Sequence, residues 1–235
     1  MTTPRTKRLA KPFTKRRVTA IVMLAVGLSL IWGGIVAAHQ PFFEEQDFTA
    51  AAPRFVEDPS ISLAIYATLE SRQDVDYYTF DGQTGDEIYL KITIPVIPGQ
   101  ELFAPEMALM GPGLDEMALP TQIQNPAGMG AVIIPRITGP VPENLEPFSR
   151  TRYWERQGRT VTLPADGRYT VAVWHPDAEV GRYVFVIGTR EIPGGDRQFR
   201  AKLQDYWTPV MITPDPSPTP KPSEKSAAEG SCGGW

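Results

Sequence analysis

The sequence predicts an all-β fold: a jelly-roll-like antiparallel β-sandwich, with one N-terminal transmembrane helix and a short C-terminal helix. Three observations lead there. The composition holds 24 Pro and 20 Gly in 235 residues, which favours short strands and turns over long helices. Apolar residues alternate with polar ones in several runs between residues 61 and 187, the period of a half-buried strand. An uncharged stretch near the N-terminus separates a basic segment from an acidic remainder.

Residues 1–17 carry seven of the 23 basic residues and no acid, which leaves 16 bases against 27 acids beyond, a balance of −11. Such an ectodomain lacks the basic face that phosphate neutralisation demands, so nucleic acid is excluded as a partner. Val18 to Ala38 is a run of 21 uncharged residues, long enough to cross a bilayer as a helix. The basic flank would stay inside and His39 onward would lie outside, giving a single-pass plasma-membrane protein with an extracytoplasmic domain. The alternative is a cleaved signal peptide, with Val36 and Ala38 as the small residues before the cut, and a secreted product. No Cys follows the apolar run, so a lipoprotein anchor lacks its attachment point.

Residues 39–59 read as a tether, mixing Phe42, Phe43 and Phe48 with Glu44, Glu45 and Asp47 before the pattern is lost. From Ile61 the alternation begins, with Leu63, Ile65, Ala67 and Leu69 on one face and Tyr66 and Thr68 on the other. Asp74 to Ile94 then reads as a β-hairpin: Tyr78 and Phe80 continue an apolar face, Asp81 to Gly85 supply turn chemistry, and Ile88, Leu90, Ile92 and Ile94 point inward. Residues 95–150 hold ten prolines and predict two short strands, around Glu106 to Met110 and Met129 to Ile134, inside long surface loops. Long loops are where a ligand surface is expected. Two further strands follow the Gly167 and Gly181 positions, each with a Tyr two residues on whose ring is buried and whose hydroxyl reaches water. Residues 192–208 carry Phe199, Leu203, Tyr206 and Trp207 at helical spacing behind Asp196 as cap. This helix packs on the sandwich or lies as an aromatic foot on the membrane. Residues 209–235 form a Pro-rich extended tail, in which Cys232 is idle or pairs between chains.

Asp74, Asp76, Tyr78, Phe80 and Gly85, with Gly167, Tyr169, Gly181 and Tyr183 later, resemble the bacterial pre-peptidase C-terminal (PPC) domain over about residues 60–191. The Pro-rich middle departs from the pattern. That resemblance implies a β-sandwich of jelly-roll type, with Tyr78, Phe80, Gly85, Gly167, Tyr169, Gly181 and Tyr183 in structural roles. It also implies an accessory module that binds polymers, here without a peptidase domain in cis.

No Gly-x-Ser-x-Gly elbow, His-Glu-x-x-His helix or Walker A loop is present, so the chain is read as no enzyme. His175 is expected as a solvated loop residue. The carboxylate pair Asp74 and Asp76 precedes a strand; it forms a bend by bonding backbone amides, or holds calcium through hard oxygen ligands. No other cofactor is expected. Met107, Met110, Met117 and Met129 are thioethers that suit Cu(I) but are explained by packing. The expected function is a non-catalytic binding or scaffolding module, its ligand a cell-envelope polysaccharide or protein. A carboxylate-dependent envelope hydrolase and a purely structural envelope subunit are the alternatives.

Overall fold

The computed structural model describes residues 39–210. The expected basic segment, membrane anchor, most of the Pro-rich tail and Cys232 lie outside the described residues. Among the described residues no helix is long and apolar enough to cross a membrane.

Among the described residues eleven strands and one helix follow in order: β1 Gln40–Phe43, β2 Arg54–Phe55, β3 Leu63–Leu69, β4 Val75–Gly82, β5 Glu87–Pro95 and β6 Glu106–Gly111. Then come β7 Gly130–Ile134, β8 Glu143–Glu146, β9 Thr151–Thr162, β10 Gly167–Trp174, β11 Gly181–Ile187 and α1 Phe199–Tyr206. They form a six-stranded sheet in the order β1-β3-β11-β5-β9-β8 and a five-stranded sheet in the order β2-β4-β10-β6-β7. Successive strands cross between sheets, β3 to β4, β5 to β6 and β10 to β11, which is the winding of a jelly roll. Tyr78, Phe80, Tyr169, Tyr183 and Phe185 are fully buried between the sheets with Leu90, Ile92 and Ile94.

Four expectations are corrected. Asp74 to Ile94 is not a hairpin: β4 pairs with β10, while β5 pairs with β11 and β9 in the opposite sheet. Alternation marks which face of a strand is buried; it does not say whether two strands lie side by side or face one another. Residues 39–59 are not a free tether either. β1 runs parallel to β3, and β2 parallel to β4, so the segment supplies an edge to both sheets and the sandwich is not wholly antiparallel. Third, Tyr66 does not point to water. It packs with Ala64, Val184 and Val186 beneath Phe199, Leu203 and Tyr206 of α1, so the helix covers the sandwich through its apolar side. Its N-cap is Gln198; Asp196, the expected cap, accepts from the Gln198 amide at 2.7 Å and from Lys202 Nζ at 2.6 Å. Fourth, the Pro-rich segment between β6 and β7 is a cover and not a loose loop. Ile123 packs with Tyr77, Met110 and Trp174 on the outer face of the five-stranded sheet, and the Gln124 amide donates to the Tyr77 hydroxyl at 2.9 Å.

Gly85 sits in the turn after β4 at φ +89°, a conformation an L side chain resists. Gly181 is needed for close approach instead: a Cβ there would meet the Phe103 ring at 2.9 Å.

Candidate functional site

The strap that leaves β1 crosses one end of the sandwich. The Glu44 amide donates to Tyr66 O at 2.9 Å in one sheet, and Phe48 O accepts from the Tyr77 amide at 2.6 Å in the other. Phe48 anchors it, edge-on to Tyr78 with ring centroids 5.5 Å apart. Between these two attachments the strap delivers Glu44 and Asp47 onto Asp76, and ligand oxygens of the three lie within 4.8 Å of one another.

Asp76 is 0% exposed, and its strand position explains why. β4 begins at Val75, so Asp76 shares the inward face of Tyr78 and Phe80 instead of forming the expected bend. One of its oxygens, Oδ2, accepts from the Tyr183 hydroxyl. Tyr183 has one proton to give, so Tyr78, 2.8 Å away, donates to Tyr183, and the two tyrosines form a directed relay into the carboxyl. The Tyr183 hydroxyl is buried, contrary to the expectation that it reaches water. The other oxygen, Oδ1, finds no partner.

Burial raises the Asp76 carboxyl far above the ordinary range, and the Glu44 charge adds to it. Burial likewise lifts Glu44 to about 7, against the opposing hydrogen bond from the Thr68 amide. Two carboxyls this close cannot both ionise cheaply in a buried site. They hold a proton between them or they hold a cation.

Of the predicted pair, only Asp76 belongs to this constellation. The Asp74 carboxylate accepts from the Glu70 amide at 2.6 Å and closes the β3–β4 loop, although its charge reaches both Glu44 and Asp76. Glu44 and Asp47 were missed because their segment lacks strand periodicity. The signal present was the interleaving of acids with Phe42, Phe43 and Phe48, whose rings bury the strap and turn its acids onto the sandwich.

The other singled-out residues do not converge. His175 is buried and not solvated: its ring stacks on Phe103 at 5.1 Å, and Nδ1 accepts from the Asp177 and Glu179 amides at 3.3 Å each. Burial, then the charge of Arg136, lowers it to about 4, so it is a neutral acceptor that shapes its loop. Met107 packs between the sheets, Met110 on the outer face of the same strand, and Met117 is exposed. These thioethers point in different directions and form no soft-metal site. A residue the sequence hid is Arg156, 4% exposed in the β5–β9 bulge, whose guanidinium donates to the carbonyls of Glu101, Ile137 and Gly139. One buried fork thereby fixes two loops.

No protein-family model and no curated protein matches the chain. Solved structures similar to it include PliG of Salmonella Typhimurium, a periplasmic inhibitor of g-type lysozyme (18% identity, 57% of this chain and 97% of that chain, TM-score 0.33). They also include the pre-peptidase C-terminal domain of a Bacillus anthracis collagenase (14% identity, 57% and 93% covered, TM-score 0.30). A third is CorA of Methylomicrobium album BG8, a surface-associated copper-binding protein (11% identity, 66% and 99% covered, TM-score 0.29). The domain type that the strand phrases resemble is thus among them. At these TM-scores none bears on function.

Proposed function

We propose that the chain is a non-catalytic extracytoplasmic binding or scaffolding module, held at the membrane through residues 18–38, with calcium at Glu44, Asp47 and Asp76. The observation that carries the calcium reading is a fully buried Asp76 carboxyl with one oxygen unpartnered, grouped with two further carboxylates. Calcium–oxygen distances of about 2.3–2.6 Å place opposed ligands up to roughly 5 Å apart. The 4.8 Å spread of this set fits that span. Exposed Asp47 leaves a side open for water ligands.

The same burial argues against a carboxylate hydrolase. An acid that is 0% exposed and tied to Tyr183 cannot reach a glycosidic oxygen. Support for a binding role comes from loops fixed in advance by buried polar groups, Arg156 and His175 among them, which suits a preformed surface.

The calcium reading is tested by thermal unfolding of the detergent-solubilised full chain at pH 7.5, with calcium and with chelator. Calcium at about 100 times its Kd adds roughly 2.7 kcal/mol. For a domain of this size that is an increase in Tm of about 5–10 °C. The increase should vanish in Asp76→Asn. A wild-type Tm indifferent to chelator would sink the reading.

A further inference from the structure

At the outer face of the six-stranded sheet the cover is incomplete. An eight-residue helix is about 12 Å long, whereas six strand axes spread over roughly 24 Å. α1 packs on Ala64 and Tyr66 of β3 and on Val184 and Val186 of β11, and leaves Tyr89, Lys91 and Thr93 of β5 and Glu155 of β9 beside it. The result is a cleft of about 270 Å³ between α1 and the β8–β9 turn.

Tyr89 and Phe148 are its half-buried aromatics, set over the buried rings of Tyr66, Tyr153 and Phe199. Its rim is polar, with Lys91 set among the carboxylates of Glu155 and Glu146. Lys91 Nζ stands 3.1 Å from Glu155 Oε1, and Asn144 Nδ2 donates to the same oxygen at 2.8 Å. That leaves Glu155 Oε2, the Asn144 carbonyl and the remaining Lys91 N–H groups free for a ligand, acceptors and donors together. Gly158, opposite Lys91 in the ladder, lets the Tyr89 hydroxyl pack close, since a Cβ there would meet it at 3.0 Å. The turn at the rim is set beforehand, because the Glu146 carboxylate accepts from the Phe148 and Ser149 amides at 2.8 and 2.6 Å.

We propose that this cleft binds one ring of a neutral oligosaccharide, its C–H face on Tyr89 and Phe148 and its hydroxyls on Lys91, Glu155 and Asn144. A polyanion would meet a rim with no excess positive charge. A wholly apolar ligand would strand the Lys91–Glu155 pair without water. A neutral sugar is the ligand class with an apolar face and hydroxyls that both donate and accept. The volume falls just below the roughly 300 Å³ at which drug-sized pockets begin, which suits a single ring. The inference rests on the binding-module reading and names its ligand class.

The test is isothermal titration of the detergent-solubilised full chain, in calcium, with maltotetraose, cellotetraose and chitotetraose as neutral probes and tetragalacturonate as the acidic one. At least one neutral probe should bind, and binding should weaken about tenfold or more in Tyr89→Ala and in Glu155→Gln. Gln83→Ala, an exposed residue of the turn between β4 and β5 and away from the cleft, should bind like wild type. Unchanged Tm values establish that the cleft variants are folded. The proposal fails if only the acidic probe binds, if no neutral probe binds, or if both cleft variants titrate like wild type. A peptide that binds by adding to edge strand β8 in place of any sugar would also overturn it. Retention on cell-envelope material without affinity for the neutral probes would overturn the cleft and leave the binding-module reading standing.

Discussion

A buried carboxyl oxygen without a partner costs on the order of 1–3 kcal/mol, so Asp76 Oδ1 marks a place where the molecule is unfinished by its own atoms. Proton and cation compete for it, and their competition sets the pH behaviour. Unfolded, Glu44 releases its proton near 4.5; folded, it does so at about 7. Between those values the unfolded chain is the more ionised state, so stability present below pH 4.5 is lost as pH rises toward 7. Glu44 alone contributes roughly 3 kcal/mol to this fall. In chelator, urea unfolding from pH 5 to 8 should show the decline, and Glu44→Gln should make it shallower, leaving the part that the raised Asp76 carboxyl contributes. Calcium should flatten it too, because the ion displaces the shared proton. Asp76→Asn removes the like-charge conflict, so without calcium at pH 8 it should be at least as stable as wild type while no longer responding to calcium. Arg156 makes a separate prediction. Its replacement by Ala leaves three loop carbonyls without donors and should cost about 3 kcal/mol. Limited proteolysis should then cut near Glu101 or Ile137, sites protected in wild type.

The elements differ in how legible they were. Ile88, Leu90, Ile92 and Ile94 announce β5 because every second residue is apolar and all four are buried. The pairing of β5 with β9 and β11 is invisible in that pattern, since alternation is local and strand neighbours here come from distant sequence. β1 and the strap were illegible for another reason: only Pro41 of β1 is buried, so the strand has no alternating apolar face to read. Asp76 was seen, but as a turn acid, because a carboxyl amid Val75, Tyr77 and Tyr78 contradicts strand preference. That local contradiction is itself the mark of a site. The helix was read from Phe199, Leu203 and Tyr206, all three of which are buried. Leu203→Ala should lower stability by about 2–3 kcal/mol. Ending the chain at Glu191 should expose Tyr66, Val184 and Val186 and produce aggregation visible by light scattering.

At the scale of the whole molecule, the sandwich is closed on both outer faces by different means. α1 covers part of one sheet, and the Pro-rich segment carrying Ile123 covers part of the other. The ends differ as well. One holds the strap and its three acids; loops fixed by Arg156 hang from the strands elsewhere. A cation at Glu44, Asp47 and Asp76 would join the strap that leaves β1 to both sheets at once. The most direct measurement is a calcium titration of the chelator-stripped full chain by isothermal calorimetry at pH 7.5. The account predicts saturable binding at one site with proton release, lost in Asp76→Asn and weakened in Asp47→Asn. Absence of binding in the wild type, or equal binding in Asp76→Asn, would contradict it.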